Sequence, residues 1–433
     1  MTMRRRSLKL ISPKSGALFW SLLARVTLLF LGFLTSIILA RLFGPEPLAQ
    51  MSLLVSLLVV TSHLSLFGSQ MTILRRLPVQ TDPAASAETI GTAGIFTLLL
   101  GLLIGGGMTG LIMSGWLDIY TSQLGSGFMV LLPLIVLLNA LRILGLETLR
   151  ALRRISVYNT VAVLNAFLLL FIVLAVWMIG YDTIQVAWVI LATELLSLML
   201  ISFLVFSGSG LTVRIPSSIM HISSHIRVSS IFFLSSSSVL VGQIDLLVAG
   251  GIVSLDHLGF YAVAIRIASL AGLVLISSNI AFAPEVSNVF HSKGLGPALT
   301  LAMGQTRLLV PLTLAISAAI AIVGYPLLLL FGPSFVAAYP ALLIILLGHI
   351  SSVLFGPVGT FLNMTIGHRE MVLVTVLELV VAFFVSIFLI PTFGITGAAM
   401  ANAAAQITRA VLATALLYMR AGTAITIFHA YRR

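Results

Sequence analysis

Apolar runs of about 20 residues recur along this chain, separated by short polar breaks. Breaks at Gly, Pro and charge mark out twelve such runs: 17–41, 48–70, 91–113, 128–149, 157–179, 184–206, 229–253, 259–282, 306–331, 340–364, 371–391 and 396–419. Each is near the roughly 20 residues that a helix needs to cross hydrocarbon. The pattern predicts an all-α polytopic membrane protein with twelve transmembrane helices. The polar segment 207–228 divides them six and six, giving an N-terminal lobe at 1–206 and a C-terminal lobe at 229–433. Six is even, so both halves begin on the same side, as parallel repeats about an axis along the membrane normal.

One hairpin stands out. Val239–Asn288 holds two apolar segments around a turn at Ser254–Leu258, with Asp245 in the first segment and Arg266 in the second. A charge at that depth costs about 3 kcal/mol and marks a bundle interior or a wet cavity. A weaker copy of the plan occurs at Ser36–Ser52, where Glu46 holds the place of Asp256, and Arg25 lies in its opening helix. Arg25 and Arg266 are too deep to snorkel and read as cavity residues able to contact substrate. Ser236, within the hydroxyl run Ser235–Ser238, and Gln243 are further candidate binding groups, although hydroxyls in a helix also bond the preceding turn. Asp245 is the candidate ion-coupling acid.

Composition agrees with the pattern. Of the 433 residues, 59% are hydrophobic and 8% charged, against about 25% charged in soluble domains. The net charge of +11 does not read as a nucleic-acid surface, because the basic residues are scattered. With the N-terminus placed inside, 17 of the 23 Lys and Arg fall on inside segments and Arg41 alone at the outside edge. That is the positive-inside distribution, with both termini cytoplasmic. The basic start MTMRRRSLKLISPKSG reads as the flank of a retained first helix, since the apolar run after it is too long for a signal peptide.

Several chemistries are excluded. There is no cysteine, so no disulfide or thiol catalysis. No GxxxxGK[ST], GxSxG or HExxH occurs, and the outside turns are too short for the domain of a membrane glycosyltransferase. The chain therefore reads as a non-enzyme requiring no cofactor. His221 and His225 have helical metal-ligand spacing, yet no acid or Cys lies nearby, so no metal site is expected. Gly101/Gly105 and Gly106/Gly110 are small-xxx-small pairs, suited to close packing or to a hinge. Glu378 and Arg409 are placed to pair on adjacent helices. Arg142 and Glu147 read as an interface pair, and His63 as a hydrogen-bonded core residue.

SIILARLFGPE, LSLFG and ILRRLP in the first half, and GQIDLLVAGGIVSLDHLGFYAVAIRI, FAPEVSN, FGPSFVAAYPALLIILLG and LIPTFGITGAAMANAAAQ in the second, together resemble bacterial polysaccharide (O-antigen type) flippases. These belong to the multidrug/oligosaccharidyl-lipid/polysaccharide exporter superfamily, which also holds multidrug extrusion proteins and lipid II flippases. GPEPLAQMS lacks the Gly-x-Tyr expected after the first turn, and twelve helices argue against the fourteen-helix lipid II type. The resemblance implies movement of a lipid-pyrophosphate-linked oligosaccharide (an O-antigen or exopolysaccharide unit) across the bacterial cytoplasmic, inner membrane, with other polysaccharide assembly proteins as partners. Arginine suits a pyrophosphate because its planar fork meets the oxygens bidentately. The alternatives are cation-coupled multidrug extrusion, which favours an acid-dominated cavity, and a non-transporting scaffold of an envelope complex.

The topology is directly testable. Reporter fusions at Asp118, Asp182 and Tyr339 are expected to report outside, and fusions at Pro83 and Ser209 inside. An outside signal at Ser209 would overturn the parallel-repeat arrangement.

Overall fold

The computed structural model describes residues 13–80, 82–116, 118–124, 126–180, 186–206, 219–367 and 369–431. The basic segment 1–12, the turn at 181–183 and most of the polar segment 207–228 lie outside the described residues. Among the described residues there is helix and no strand. In chain order the helices are α1 Pro13–Phe43, α2 Pro45–Leu66, α3 Ser69–Arg76, α4 Pro83–Met113, α5 Asp118–Leu124, α6 Ser126–Ala151, α7 Ile155–Met178, α8 Val186–Phe206, α9 Ile219–Ser236, α10 Ser238–Gly250, α11 Leu255–Lys293, α12 Leu295–Phe331, α13 Tyr339–Leu354, α14 Val358–Met364, α15 Glu370–Phe393, α16 Ile395–Ala421 and α17 Ile427–Tyr431.

Among the described residues eleven helices are long and apolar enough to cross a membrane, and the pair α9–α10, bent by 65°, gives a twelfth if it is counted as one span. The protein is an all-α polytopic membrane protein with eleven to twelve candidate spans among the described residues, at the expected places. Large apolar side chains lie exposed along the spans, among them Phe30, Leu103, Phe171, Phe203, Ile322 and Phe388. Such a surface is stable against acyl chains and not against water. Two expected spans are interrupted. The seventh breaks at Ser237, inside the hydroxyl run, and the tenth breaks at Pro357 between α13 and α14. Proline removes a donor from the helix ladder. Proline elsewhere is absorbed, as at Pro133 in α6, Pro284 in α11 and Pro311 in α12.

The helices cluster into two compact units. One is Met1–Leu42 with Val60–Leu234; the other is Phe43–Val59 with Ser235–Arg433. Packing and chain order therefore differ over 43–59, which sequence reading assigns to the first lobe. Close contacts within the second unit explain it. A Cβ on Gly250 of α10 would lie 2.5 Å from Leu53 Cδ1, and one on Gly259 of α11 would collide with the Pro45 carbonyl. Glycine at these two places lets the start of α2 lie against α10 and α11.

Small residues also set the packing elsewhere. In α16, Ala398, Ala399, Ala401, Ala403, Ala405, Ala410 and Ala413 are buried, and α15 and α13 pack closely on it. Alanine combines the highest helix propensity with the closest backbone approach. In the first unit, Leu66, Ile73, Leu77, Ile90, Ala93, Ala140 and Leu144 join α2, α3, α4 and α6 in one core.

The two glycine pairs of α4 separate cleanly. A Cβ at Gly101 would lie 2.8 Å from Leu137 Cδ1, and one at Gly105 would lie 3.0 Å from Pro133 Cβ, whereas Gly106 and Gly110 have nothing within 4 Å. The first pair is a packing seam against α6. Gly105→Leu is therefore expected to destabilise the protein by about 1–3 kcal/mol through overpacking, while Gly106→Leu leaves it nearly unchanged. Apparent melting temperatures in detergent decide this; equal melting of the two variants would refute the seam.

Candidate functional site

The second unit holds a buried acid. α10 starts after the Ser237 break and turns Val241, Asp245, Leu246 and Ala249 inward. Asp245 is only 2% exposed. Its Oδ2 accepts from the Tyr261 hydroxyl of α11 at 2.6 Å and from Asn402 Nδ2 of α16 at 2.8 Å. Its Oδ1 accepts from the Leu246 backbone N–H at 2.9 Å. Bonds to a charged acceptor contribute about 1.5–3 kcal/mol each, which offsets the burial of an acid without a cation. Tyr261 is the third residue of Gly259-Phe260-Tyr261. Gly259 admits α2 against one side of α11, and Tyr261 turns from another side to Asp245.

The network continues along α16. Gln406 Nε2 donates to Asn402 Oδ1 at 2.7 Å, one turn further on. Gln406 also borders a cavity of about 300 Å³, together with Asn279, Ser352, Thr360, Glu378 and Arg409. The Pro357 break forms part of the cavity wall. Arg409 Nη1 lies 3.5 Å from Glu378 Oε2, so α15 and α16 pair as the sequence predicts.

The first unit has its own polar core. Arg142 Nε of α6 meets Glu194 Oε2 of α8 at 2.6 Å. Asn139 Nδ2 donates to Glu194 Oε1 at 2.9 Å, and Ser62 donates to Asn139 Oδ1 at 2.8 Å. The sequence points to Glu147 as the partner of Arg142. Glu147 instead pairs with Arg150 at 3.3 Å, one turn along α6. The reason is the helical period: a spacing of five residues turns side chains about 140° apart, whereas three brings them together.

Of the candidate binding groups, Arg25 is exposed on α1 and forms no ion pair or hydrogen bond with another described residue. It lies within electrostatic range of the Tyr158 hydroxyl, together with Arg142 and Arg150. Arg266 is half-buried and engaged within the protein, and it is not among the partners of Asp245. Ser236 ends α9 and is likewise engaged. Gln243 is half-buried on α10 and makes no hydrogen bond with another described residue. Arg25 belongs to one unit and Gln243, Asp245 and Arg266 to the other. His225 Nε2 lies 3.0 Å from Ser69 Oγ and edge-on to Phe96, a core contact. His63 is buried with its ring tilted over Phe233 at 5.1 Å, and its Nε2 has no hydrogen-bond partner among the described residues.

Tyr261, Asn402 and Gln406 are the participants that sequence reading passed over. Tyr261 had a signal in the Gly-x-Tyr motif. The two amides had a weaker one, as polar side chains one turn apart in an Ala-rich span.

No family model matches the chain, and no curated protein matches it. Solved structures do. A multidrug resistance MATE family transporter of the MOP superfamily, inward-facing, is similar at 18% identity and TM-score 0.69, over 94% of this chain and 95% of that one. The lipid II flippase MurJ, inward closed, is similar at 13% identity and TM-score 0.73, over 93% and 87%. A MOP superfamily transporter from Pyrococcus furiosus, described by the reversed polarity of its binding pocket, is similar at 16% identity and TM-score 0.53, over 93% and 92%. The chain has the fold of MOP superfamily transporters.

The polar core of the first unit yields a double-variant test. Arg142→Leu leaves Glu194 charged and without its cation, at a cost of about 3 kcal/mol. Arg142→Leu combined with Glu194→Leu removes both charges and is expected to regain most of that loss in denaturation measurements. A double variant as unstable as the single one would refute the pairing.

Proposed function

We propose that the protein is a flippase of the bacterial inner membrane that moves a lipid-pyrophosphate-linked oligosaccharide outward by alternating access. Its two six-helix lobes, 1–206 and 229–433, carry the substrate groups named below, and both termini are cytoplasmic. The observation that carries this reading is Arg25. It stands about 12 Å into the expected span 17–41 at 1.5 Å per residue, exposed and without a carboxylate among the described residues. A cation facing hydrocarbon at that depth is costly, so the exposed side of Arg25 belongs to a wet cleft. Its neighbours Arg142 and Arg150 are each paired with a glutamate, which leaves Arg25 to meet an anionic head group. Arg266, Gln243 and Ser236 supply further contacts from the second half, the last two toward sugar hydroxyls. Asp245 is the coupling acid, and likeness to a lipid II flippase supports a lipid-linked cargo.

A second reading has its own support. Cation-coupled extrusion of small amphipathic compounds fits the likeness to MATE transporters and the buried carboxylate Asp245. The two readings differ at Arg25, because a cationic drug gains nothing from a guanidinium in the cleft.

Cells carrying Arg25→Ala are expected to lose surface glycan at least tenfold, with the protein still in the membrane. Arg25→Lys is expected to remain impaired, since an ammonium keeps the charge and loses the bidentate fork. Surface glycan is measured beside resistance to cationic dyes. Normal glycan with lost dye resistance in Arg25→Ala would replace the flippase reading with extrusion.

A further inference from the structure

The cavity of about 300 Å³ beside Pro357 lies wholly within the second unit, among α11, α13, α14, α15 and α16. Two buried oxygens of its lining residues are unmet. Glu378 is 4% exposed, and its Oε2 makes no hydrogen bond among the described residues. Arg409 Nη1 approaches that oxygen only to 3.5 Å, long for such a bond. Asn279 Oδ1 is buried and also lacks a donor among the described residues. Buried acceptors of this kind are rare in folded proteins and call for a partner. The same wall carries the Arg409 guanidinium, which only donates, and the Ser352 and Thr360 hydroxyls, which do either. A Cβ at Gly359 of α14 would lie 3.7 Å from Arg409 Nε and Nη2, so the guanidinium rests against bare backbone. Ile276, Val358 and Ala410 make the rest of the wall apolar.

We propose that this cavity is a sugar subsite that takes one neutral pyranose unit of the cargo. The proposal rests on the flippase reading for the source of the sugar, and on the cavity for its chemistry. A pyranose carries hydroxyls around its edge and C–H groups on its faces. Its hydroxyls donate to Glu378 Oε2 and Asn279 Oδ1, its oxygens accept from Arg409, and its faces lie on Ile276 and Val358. Other ligands match less of the wall. A sodium ion at Oε2 would stand beside the guanidinium, and a phosphate at Arg409 would stand beside the carboxylate, like charge against like in both cases. An apolar compound would leave both oxygens unmet. A neutral polyol meets both and leaves the ion pair in place. The volume is at the lower end for ligand pockets, and suits one ring rather than a whole repeat unit. A site built to bond hydroxyls rejects analogues that lack them. The subsite therefore gives the protein a selectivity among glycans that a phosphate contact at Arg25 does not.

The chain has no cysteine, so Ser352→Cys places a lone thiol on the cavity wall, and Thr360→Cys places one on α14. The test is the rate of alkylation by iodoacetamide, on the full chain in phosphatidylcholine nanodiscs. The probes are the methyl glycosides of glucose, galactose and N-acetylglucosamine, each in turn. A bound ring shields the thiol by a factor of 1 + [L]/Kd, so labelling is expected to slow about tenfold at about ten times the dissociation constant of at least one probe. Asn279→Leu keeps the Glu378–Arg409 pair, and Glu378→Gln keeps the shape of the side chain. Each is expected to weaken that binding at least tenfold. No slowing by any glycoside, thiols that iodoacetamide cannot reach at either position, slowing by sodium ions or a cationic dye instead, or slowing unchanged in both variants would overturn the proposal.

A second arm identifies the source of the sugar. Thr360→Phe fills the cavity and is expected to lower surface glycan at least tenfold, with the protein still in the membrane. Unchanged glycan in Thr360→Phe would show that the cargo does not use the cavity and would overturn the proposal. A protein that binds a glycoside and exports no glycan would leave the subsite standing and reject only the flippase reading.

Discussion

A carboxylate among apolar helices has to be met by donors from other helices, and three such acids organise this protein. Asp245 ties α10 to α11 and α16 through Tyr261 and Asn402. Glu378 ties α15 to α16 through Arg409. Glu194 ties α8 to α6 through Arg142 and Asn139, and Ser62 of α2 joins the same network. Apolar side chains cannot choose between one neighbour and another in a solvent as apolar as themselves. The polar contacts, with the small residues that let helices close on each other, supply the choice.

The spans were legible because the length and composition of an apolar run are local properties. Each expected run returns as a helix, and even the two interruptions fall at Ser237 and near Pro357, where the sequence carries a hydroxyl run and a proline. Partners were less legible. Arg142 and Glu147 are close in sequence and look like a pair, yet the helix turns them apart and Glu194 takes the arginine. Glu378 and Arg409 were found because both depths could be counted from the same face. The packing of 43–59 with later helices depends on gaps at Gly250 and Gly259 that no hydropathy profile records. Likewise Gly101 and Gly106 follow the same sequence rule, and only the neighbouring α6 separates a seam from an open face.

The candidate site was half visible. Charged residues in apolar runs are conspicuous, so Asp245, Arg25 and Arg266 stood out. Neutral polar side chains are not, and Asn402 and Gln406 are the groups that give Asp245 its surroundings. A hydrogen-bond network has a direction as well as a membership, and direction follows only from coordinates.

The Ala-rich α16 has a consequence for how the chain is made. It is the least apolar of the candidate spans, while α15, joined to it through Gly394, is the most apolar. With Asn402, Gln406 and Arg409 on its surface, α16 partitions poorly into lipid by itself. α15 enters first during synthesis and offers an apolar face and Glu378 to the small residues of α16. The last hairpin therefore inserts as one cooperative piece, and the polarity that serves the finished protein is tolerated at birth only because its neighbour arrives ahead of it.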